Sequence, residues 1–205
     1  MAEPIISTRT KDQKWSFVVL NKVNFIPFIN IISMINKFEG RYRFLSNFYP
    51  CEIEHQGIKY PSVENFYVAM KVNDQQLING KYYTPGDFRE MIALIKNPSE
   101  VKKIGSKVKL RSNWDEKKLE SMNWAVRQKF KNNQELKEML LNTSNQDIVE
   151  ENYWHDIYWG ICTCGKCGNK GENNLGKILM EVRDELTPRN QRPSLEDQIK
   201  KNSLK

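Results

Sequence analysis

Three side-chain groupings in this chain have the types and spacing to do chemistry. Glu64 and Lys71 lie seven residues apart, two turns of a helix, so an acid and a base share one line with only Val68 between them. Asp156 sits in Tyr153-Trp-His-Asp-Ile-Tyr-Trp159, a loop whose rings can exclude water and raise a carboxylate's pKa. Cys162, Cys164 and Cys167 stand at C-x-C-x-x-C spacing close to His155, and thiolates with an imidazole are zinc-ligand types. Each has a plainer alternative. A first-turn glutamate is favoured by the helix dipole and a lysine by water, and a loop aspartate caps turns. The cysteine stretch lacks the second pair of a standard zinc ribbon, and with Cys51 far off in sequence it reads as a flexible Gly/Lys loop without metal.

The elements that must position these groups follow from local pattern. Tyr60-Pro61 pushes the backbone out of the α region, and Ser62 is placed to cap a helix from Val63. Val63, Phe66, Tyr67 and Met70 form a core-facing stripe, which puts Glu64 and Lys71 at its edge, on the rim of a pocket. Lys37 to Tyr49 and Cys51 to Tyr60 read as extended, the second broken at His55-Gln-Gly57 into a small hairpin. Downstream the pattern is helical. Asp87 to Lys96 carries Phe88, Met91, Ile92 and Ile95 on one face. Asn97-Pro98 opens a short helix with Val101, Ile104 and Val108. Asn113 caps a long helix to Lys131 with Leu119, Met122, Val126 and Phe130 inward, and Asn133 caps another with Leu136, Met139 and Leu140. The last helix, Asn174 to Leu186, follows Asn173, whose amide either completes an anion pocket at the helix start or serves as an N-cap.

The run Phe44-Leu-Ser-Asn-Phe-Tyr49 with Tyr60-Pro-Ser-Val-Glu-Asn-Phe-Tyr-Val-Ala-Met-Lys71 resembles the signature of the NADAR, or YbiA-like, family. Asp156-Ile-Tyr-Trp-Gly160 resembles its D-x-Y-W-G element. Gly171-Glu-Asn-Asn-Leu-Gly-Lys-Ile-Leu-Met-Glu-Val-Arg183 resembles its last helix start. Four ordered blocks between about Phe38 and Leu186 make the likeness specific. It implies a mainly α fold with a few short β-strands and an N-glycosidase cleaving the bond between ribose C1 and an exocyclic amine. The implied substrates are phosphorylated ribosylamino-pyrimidine intermediates of the riboflavin pathway or ADP-ribosylated guanine. Such cleavage needs a proton for the leaving amine and negative charge beside C1, so Glu64 and Asp156 are the expected pair. Lys71 is then a phosphate ligand or a nucleophile that takes C1 as an imine. Ser46, Asn47 and Phe48 match the family's turn and are expected at the sugar. Trp114, Tyr158, Trp159 and Asn173 complete the expected substrate site, with no cofactor. The departures are the N-terminal segment, the cysteine loop, and Glu172 and Asn174, where relatives often carry basic residues.

Composition bounds the rest. The 205 residues, 39% hydrophobic with a mean hydropathy of −0.68, suit one domain with a strongly polar surface. The expected limits are an extension over residues 1–36 with a strand at Trp15 to Leu20, the domain over 37–186, and a disordered basic tail over 187–205. The longest apolar stretch, Phe25 to Ile35, is broken by Pro27, Asn30 and Ser33, too short for a membrane span. The opening Met1-Ala-Glu-Pro4 lacks a signal peptide's order, so a cytoplasmic chain is expected. The net charge of +7 is uneven: Lys96 to Lys118 holds eight basic residues against three acidic. That field suits a phosphorylated ligand or modified nucleic acid, and it also fits the other function class, a non-catalytic module reading ADP-ribose or nucleic acid. Oligomeric state is not readable.

Overall fold

The computed structural model describes residues 6–9, 15–18 and 34–191, in two units, Met1–Ile31 and Ile32–Lys205. In the first unit the described backbone is an antiparallel hairpin, β1 (Ile6–Arg9) with β2 (Trp15–Val18), Arg9 opposite Trp15. The strand thus falls inside the expected Trp15 to Leu20. Residues 25–33 of the apolar segment and 192–205 of the tail lie outside the described residues; Arg189–Gln191 forms a 3-10 turn.

The second unit is built around α1 (Val63–Met70). Ser62 is extended and its Oγ accepts from Asn65 N at 3.2 Å, so the cap forms where the Pro61-Ser62 pair places it. The preceding strands β3 (Ile53–His55) and β4 (Ile58–Tyr60) make the expected hairpin. Gln56 (φ 51°) and Gly57 (φ 78°) are both left-handed, the combination whose twist suits a two-residue turn. A second hairpin, β5 (Gln76–Ile78) with β6 (Lys81–Tyr83), turns at Asn79-Gly80, in the stretch before Asp87 for which the sequence pattern names no element. Lys37 to Tyr49 is not extended. Gly40–Leu45 forms a 3-10 turn that buries Phe44 and Leu45, a step of three residues that alternation cannot detect.

Four helices follow α1 before the last one: α2 (Pro85–Leu94), α3 (Pro98–Gly105), α4 (Trp114–Lys131) and α5 (Gln134–Leu141). Their starts are fixed by Thr84, which shares a capping box with Asp87, by Asn97 and by Asn133. Asn113 makes no such bond; its Oδ1 accepts from Arg111 Nε at 2.7 Å. Val108 lies beyond the end of α3, and Leu119 is exposed on α4 while Met122, Val126 and Phe130 are buried. The last helix, α6 (Asn174–Leu186), has the expected bounds and packs on α4 and α5.

The main departure concerns α1 itself. Helices α2, α3 and α4 all pack on it, so every residue from Val63 to Ala69 is buried, on the stripe or off it. Glu64 is therefore interior, not at a rim. Contact with α3 is tight: a Cβ on Gly105 would lie 2.6 Å from Val68 Cγ2, so only glycine allows this approach. Asn65, fully buried, donates from Nδ2 to Ile92 O and Ile95 O and so satisfies the last carbonyls of α2. The fold is mainly α with small strands, as expected. No described helix is long and apolar enough to cross a membrane.

Candidate active site

The Ser46-Asn47-Phe48 turn is fastened to the start of α1, where Glu64 N donates to Asn47 O at 3.1 Å. Ser46 Oγ accepts from Phe48 N, and Ser46 O accepts from the buried Nζ of Lys129 at 2.8 Å, so the turn is held from both sides. Asn47 donates to Met122 Sδ, and its Oδ1 is buried without a partner in the chain. A buried acceptor left open costs free energy that a substrate hydroxyl or amine can recover.

Glu64 is 9% exposed. Burial pushes its pKa up, and the nearby negative charge of Asp156 adds to this, while Lys102 and Lys71 pull it down. Lys71, at the other end of α1, reaches Gly105 O with Nζ at 3.1 Å, the carbonyl that the tight α1–α3 contact brings within range. Burial lowers its pKa; Glu64 opposes this and Lys102 reinforces it. Lys71 Nζ also stands 5.4 Å from the centre of the Tyr67 ring. Lys102 Nζ lies 5.8 Å from Phe48 and 5.5 Å from Trp154, a cation bordered by two rings.

Asp156 takes the turn-capping place that a loop aspartate is expected to take. Its Oδ1 accepts from Tyr158 N at 3.1 Å and Trp159 N at 2.8 Å, so it caps the aromatic turn, and its charge acts on both Glu64 and a further carboxylate. That carboxylate is Glu150. Burial, helped by the charges of Asp156 and Glu64 and opposed by Lys102, pushes its pKa up to about 7, and its Oε2 has no partner in the chain. Asn173 fixes the backbone there. It adopts a left-handed conformation (φ 52°), accepts from Glu150 N at 3.0 Å and donates to Ile148 O at 2.9 Å. It makes no side-chain cap to α6. Its amide is committed to the 148–150 backbone, so in this structure it positions Glu150. The neighbouring Gly176 leaves room for this, since a Cβ would lie 2.5 Å from the Asn173 amide.

The aromatic residues form one wall. Trp114, 7% exposed, lies 5.1 Å from Tyr67, Tyr67 lies 5.5 Å from Trp159, and Trp159 lies 4.8 Å from Tyr158. Lys118 Nζ covers Tyr158 at 4.2 Å. The structure thus brings Glu64, Lys71 and Asp156 into one electrostatic cluster and adds Glu150 and Lys102, neither of which the sequence marks. Lys102 is one of eight cations in a basic run. Glu150 stands in no motif, and the contact that orients it comes from a residue 23 positions on. A cavity of about 630 Å³ lined by Tyr82, Tyr83, Met91 and Leu94 shares no residue with this cluster.

The NADAR domain family matches residues 35–187. The chain belongs to the NADAR family. Among its relatives are N-glycosidase YbiA of Escherichia coli, 33% identical over 143 residues, 69% of this chain and 79% of that one, and a riboflavin biosynthesis protein of Vibrio vulnificus, 35% identical over 143 residues. The match spans 70% of this chain but only 35% of the Vibrio protein. The NMR structure of E. coli YbiA is similar with a TM-score of 0.58 at 31% identity, over 75% of this chain and 85% of that one. The NADAR match takes in every residue of the cluster, from Ser46 to Asn173.

Proposed function

We propose that this chain is an N-glycosidase that hydrolyses the bond between ribose C1 and an exocyclic amine, in a phosphorylated ribosylamino-pyrimidine or an ADP-ribosylated guanine. The observation that carries the reading is the electrostatic cluster of three carboxylates and two lysines around the buried Glu64, inside a NADAR chain whose relatives include named N-glycosidases. A module that only reads ADP-ribose has no use for a carboxyl poised near pH 7 in the same charge cluster as a lysine whose proton is loosened by burial.

The residues divide the reaction as follows. An exocyclic glycosylamine opens when its nitrogen lone pair forms C1=N and the ring oxygen leaves, taking a proton. Glu150, half-protonated near neutrality, supplies that proton, and the negative charges of Glu64 and Asp156 favour the cationic imine. Lys71, its ammonium disfavoured by burial, gives up its proton as the substrate opens and adds to C1 as the amine. A proton moves to the original nitrogen, the amine departs, and Lys71 retains the sugar as an imine. Water adds to C1, the C1–Nζ bond breaks, and the sugar leaves as its aldehyde, with one water consumed. Lys102 holds a substrate phosphate, the open Asn47 Oδ1 accepts from a ribose hydroxyl, and Trp114, Tyr158 and Trp159 provide faces for the base. Substrates joined through an endocyclic ring nitrogen have no such imine and are spared.

The test is turnover of both glycosylamine classes beside an ordinary nucleoside monophosphate. Free amine from a glycosylamine and none from the nucleotide is the expected result; equal cleavage, or none of any, overturns the proposal. Repeating the assay with modified nucleic acid at rising salt separates the two classes. A nucleic-acid substrate held by the Lys96 to Lys118 run loses affinity steeply with salt, and a metabolite with few phosphate contacts shows a shallow slope.

A further inference from the structure

We propose that His155, Cys162, Cys164 and Cys167 form a closed tetrahedral site for Zn2+ that clamps the loop bearing Asp156. One ligand atom from each of the four lies within 4.8 Å of all the others. His155 Nδ1 is 3.2 Å from Cys167 Sγ and 3.3 Å from Cys164 Sγ. A tetrahedral zinc with ordinary bond lengths places nitrogen and sulfur about 3.6 Å apart and two sulfurs about 3.8 Å apart. Movements of a few tenths of an ångström to about an ångström therefore complete the site.

Backbone structure explains how residues spread over thirteen positions converge. Strand β7 (Glu151–Asn152) pairs in parallel with β8 (Ile161–Cys162), which sets Cys162 opposite Asn152, and Cys162 N donates to Lys170 O at 2.9 Å. Between them the chain must reverse. His155 does so in the left-handed region at φ 69°, a conformation that strains a residue with a Cβ, and its ring meets the thiols. On the other side Cys164 O accepts from Cys167 N at 3.1 Å and Gly168 N at 3.2 Å, closing a tight turn. Cys167 N also lies 3.3 Å from Cys164 Sγ as a donor. A backbone N–H aimed at sulfur supports a thiolate and orients it, as outer contacts do for metal ligands.

The donor set selects the ion. Three soft thiolates and an imidazole suit zinc and not the hard cations, and four protein ligands leave no open position, which marks a structural site. All four cysteines of the chain are free thiols, and three of them meet here with the one histidine that can join them. The fixed part is functional ground: His155 adjoins Asp156, and Glu172 N to Ile157 O, Asn174 N to Tyr158 O and Leu175 N to Trp159 O tie the same loop to the start of α6. Zinc would fasten the loop at its His155 end as well. The inference stands whether or not the glycosidase reading holds.

The experiment uses the untagged full chain, purified under a non-thiol reductant, with zinc measured after gel filtration. About one zinc per chain is expected, together with uptake of Co2+ that gives the intense visible bands of a tetrahedral thiolate site. Cys164→Ser with Cys167→Ser, both outside the buried Cys162, is expected to lose zinc while keeping its helical circular dichroism. His155→Asn, which tolerates the left-handed backbone, is expected to release zinc to a chelator that the wild type resists. A stronger chelator that does strip the wild type is expected to lower its Tm and to leave that of the double variant unchanged. Less than about a tenth of an equivalent of zinc with no Co2+ uptake, or zinc retained in the double variant, overturns the proposal.

Discussion

Glu150→Gln isolates the most strongly placed carboxyl in the site. In the folded chain its pKa is about 7 against an ordinary 4.5. The folded state thus keeps a proton that the unfolded chain gives up, and the stability this provides is full below about pH 4.5 and is lost as pH rises through about 7. Integrated between pH 5 and pH 8, the loss is about 2.5 kcal/mol. Glutamine keeps the volume and cannot titrate. It also brings a fixed cost, because its amide needs acceptors in a buried place, but that cost is the same at every pH. The quantity to read is therefore the change with pH of the stability difference between variant and wild type, from urea unfolding followed by circular dichroism. The variant should gain about 2.5 kcal/mol on the wild type between pH 5 and pH 8. Parallel stability curves, differing by less than about 0.5 kcal/mol across that range, would refute the burial argument and remove Glu150 as the acid poised near neutrality.

Glu64→Gln preserves the shape of a buried side chain while removing its charge, so turnover should fall by at least about 10²-fold with Tm shifted by less than about 3 °C. Steady-state kinetics and a thermal melt check both halves, and normal turnover would take Glu64 out of the mechanism. Asn173→Ala deletes the two hydrogen bonds that hold Ile148 O and Glu150 N, and should cost about 2 kcal/mol in urea unfolding. If Asn173 instead contacts substrate alone, KM rises and stability stays put.

Much of this architecture is legible in local chemistry. Ser62, Asn97 and Asn133 mark helix starts because a cap acts within three residues, and the positions bearing Glu64, Lys71 and Asp156 stand in short motifs. What escapes is set at long range. The stripe on α1 describes one helix, whereas the burial of Glu64 depends on three others crossing it. Glu150 owes its environment to the left-handed Asn173 and to the charges of Glu64 and Asp156. The cysteines read as a flexible loop because the second pair of a zinc ribbon is missing, and spacing alone does not show that a parallel strand pair and a left-handed backbone at His155 bring its ring onto the thiols. The 3-10 turn at Gly40–Leu45 has the sequence look of a strand, with aromatic residues near alternate positions.

The account centres on Lys71 as the group that takes C1 once the glycosylamine has opened. Borohydride added during rapid turnover of a ribosylamino-pyrimidine phosphate reduces any lysine imine to a stable amine, which peptide mass analysis then locates. The account predicts the sugar phosphate mass on the peptide containing Lys71, and an inactive Lys71→Arg enzyme that carries no adduct yet still binds ligand. Turnover without a trapped adduct, or an active Lys71→Arg enzyme, would contradict it and leave cleavage to the carboxylates alone.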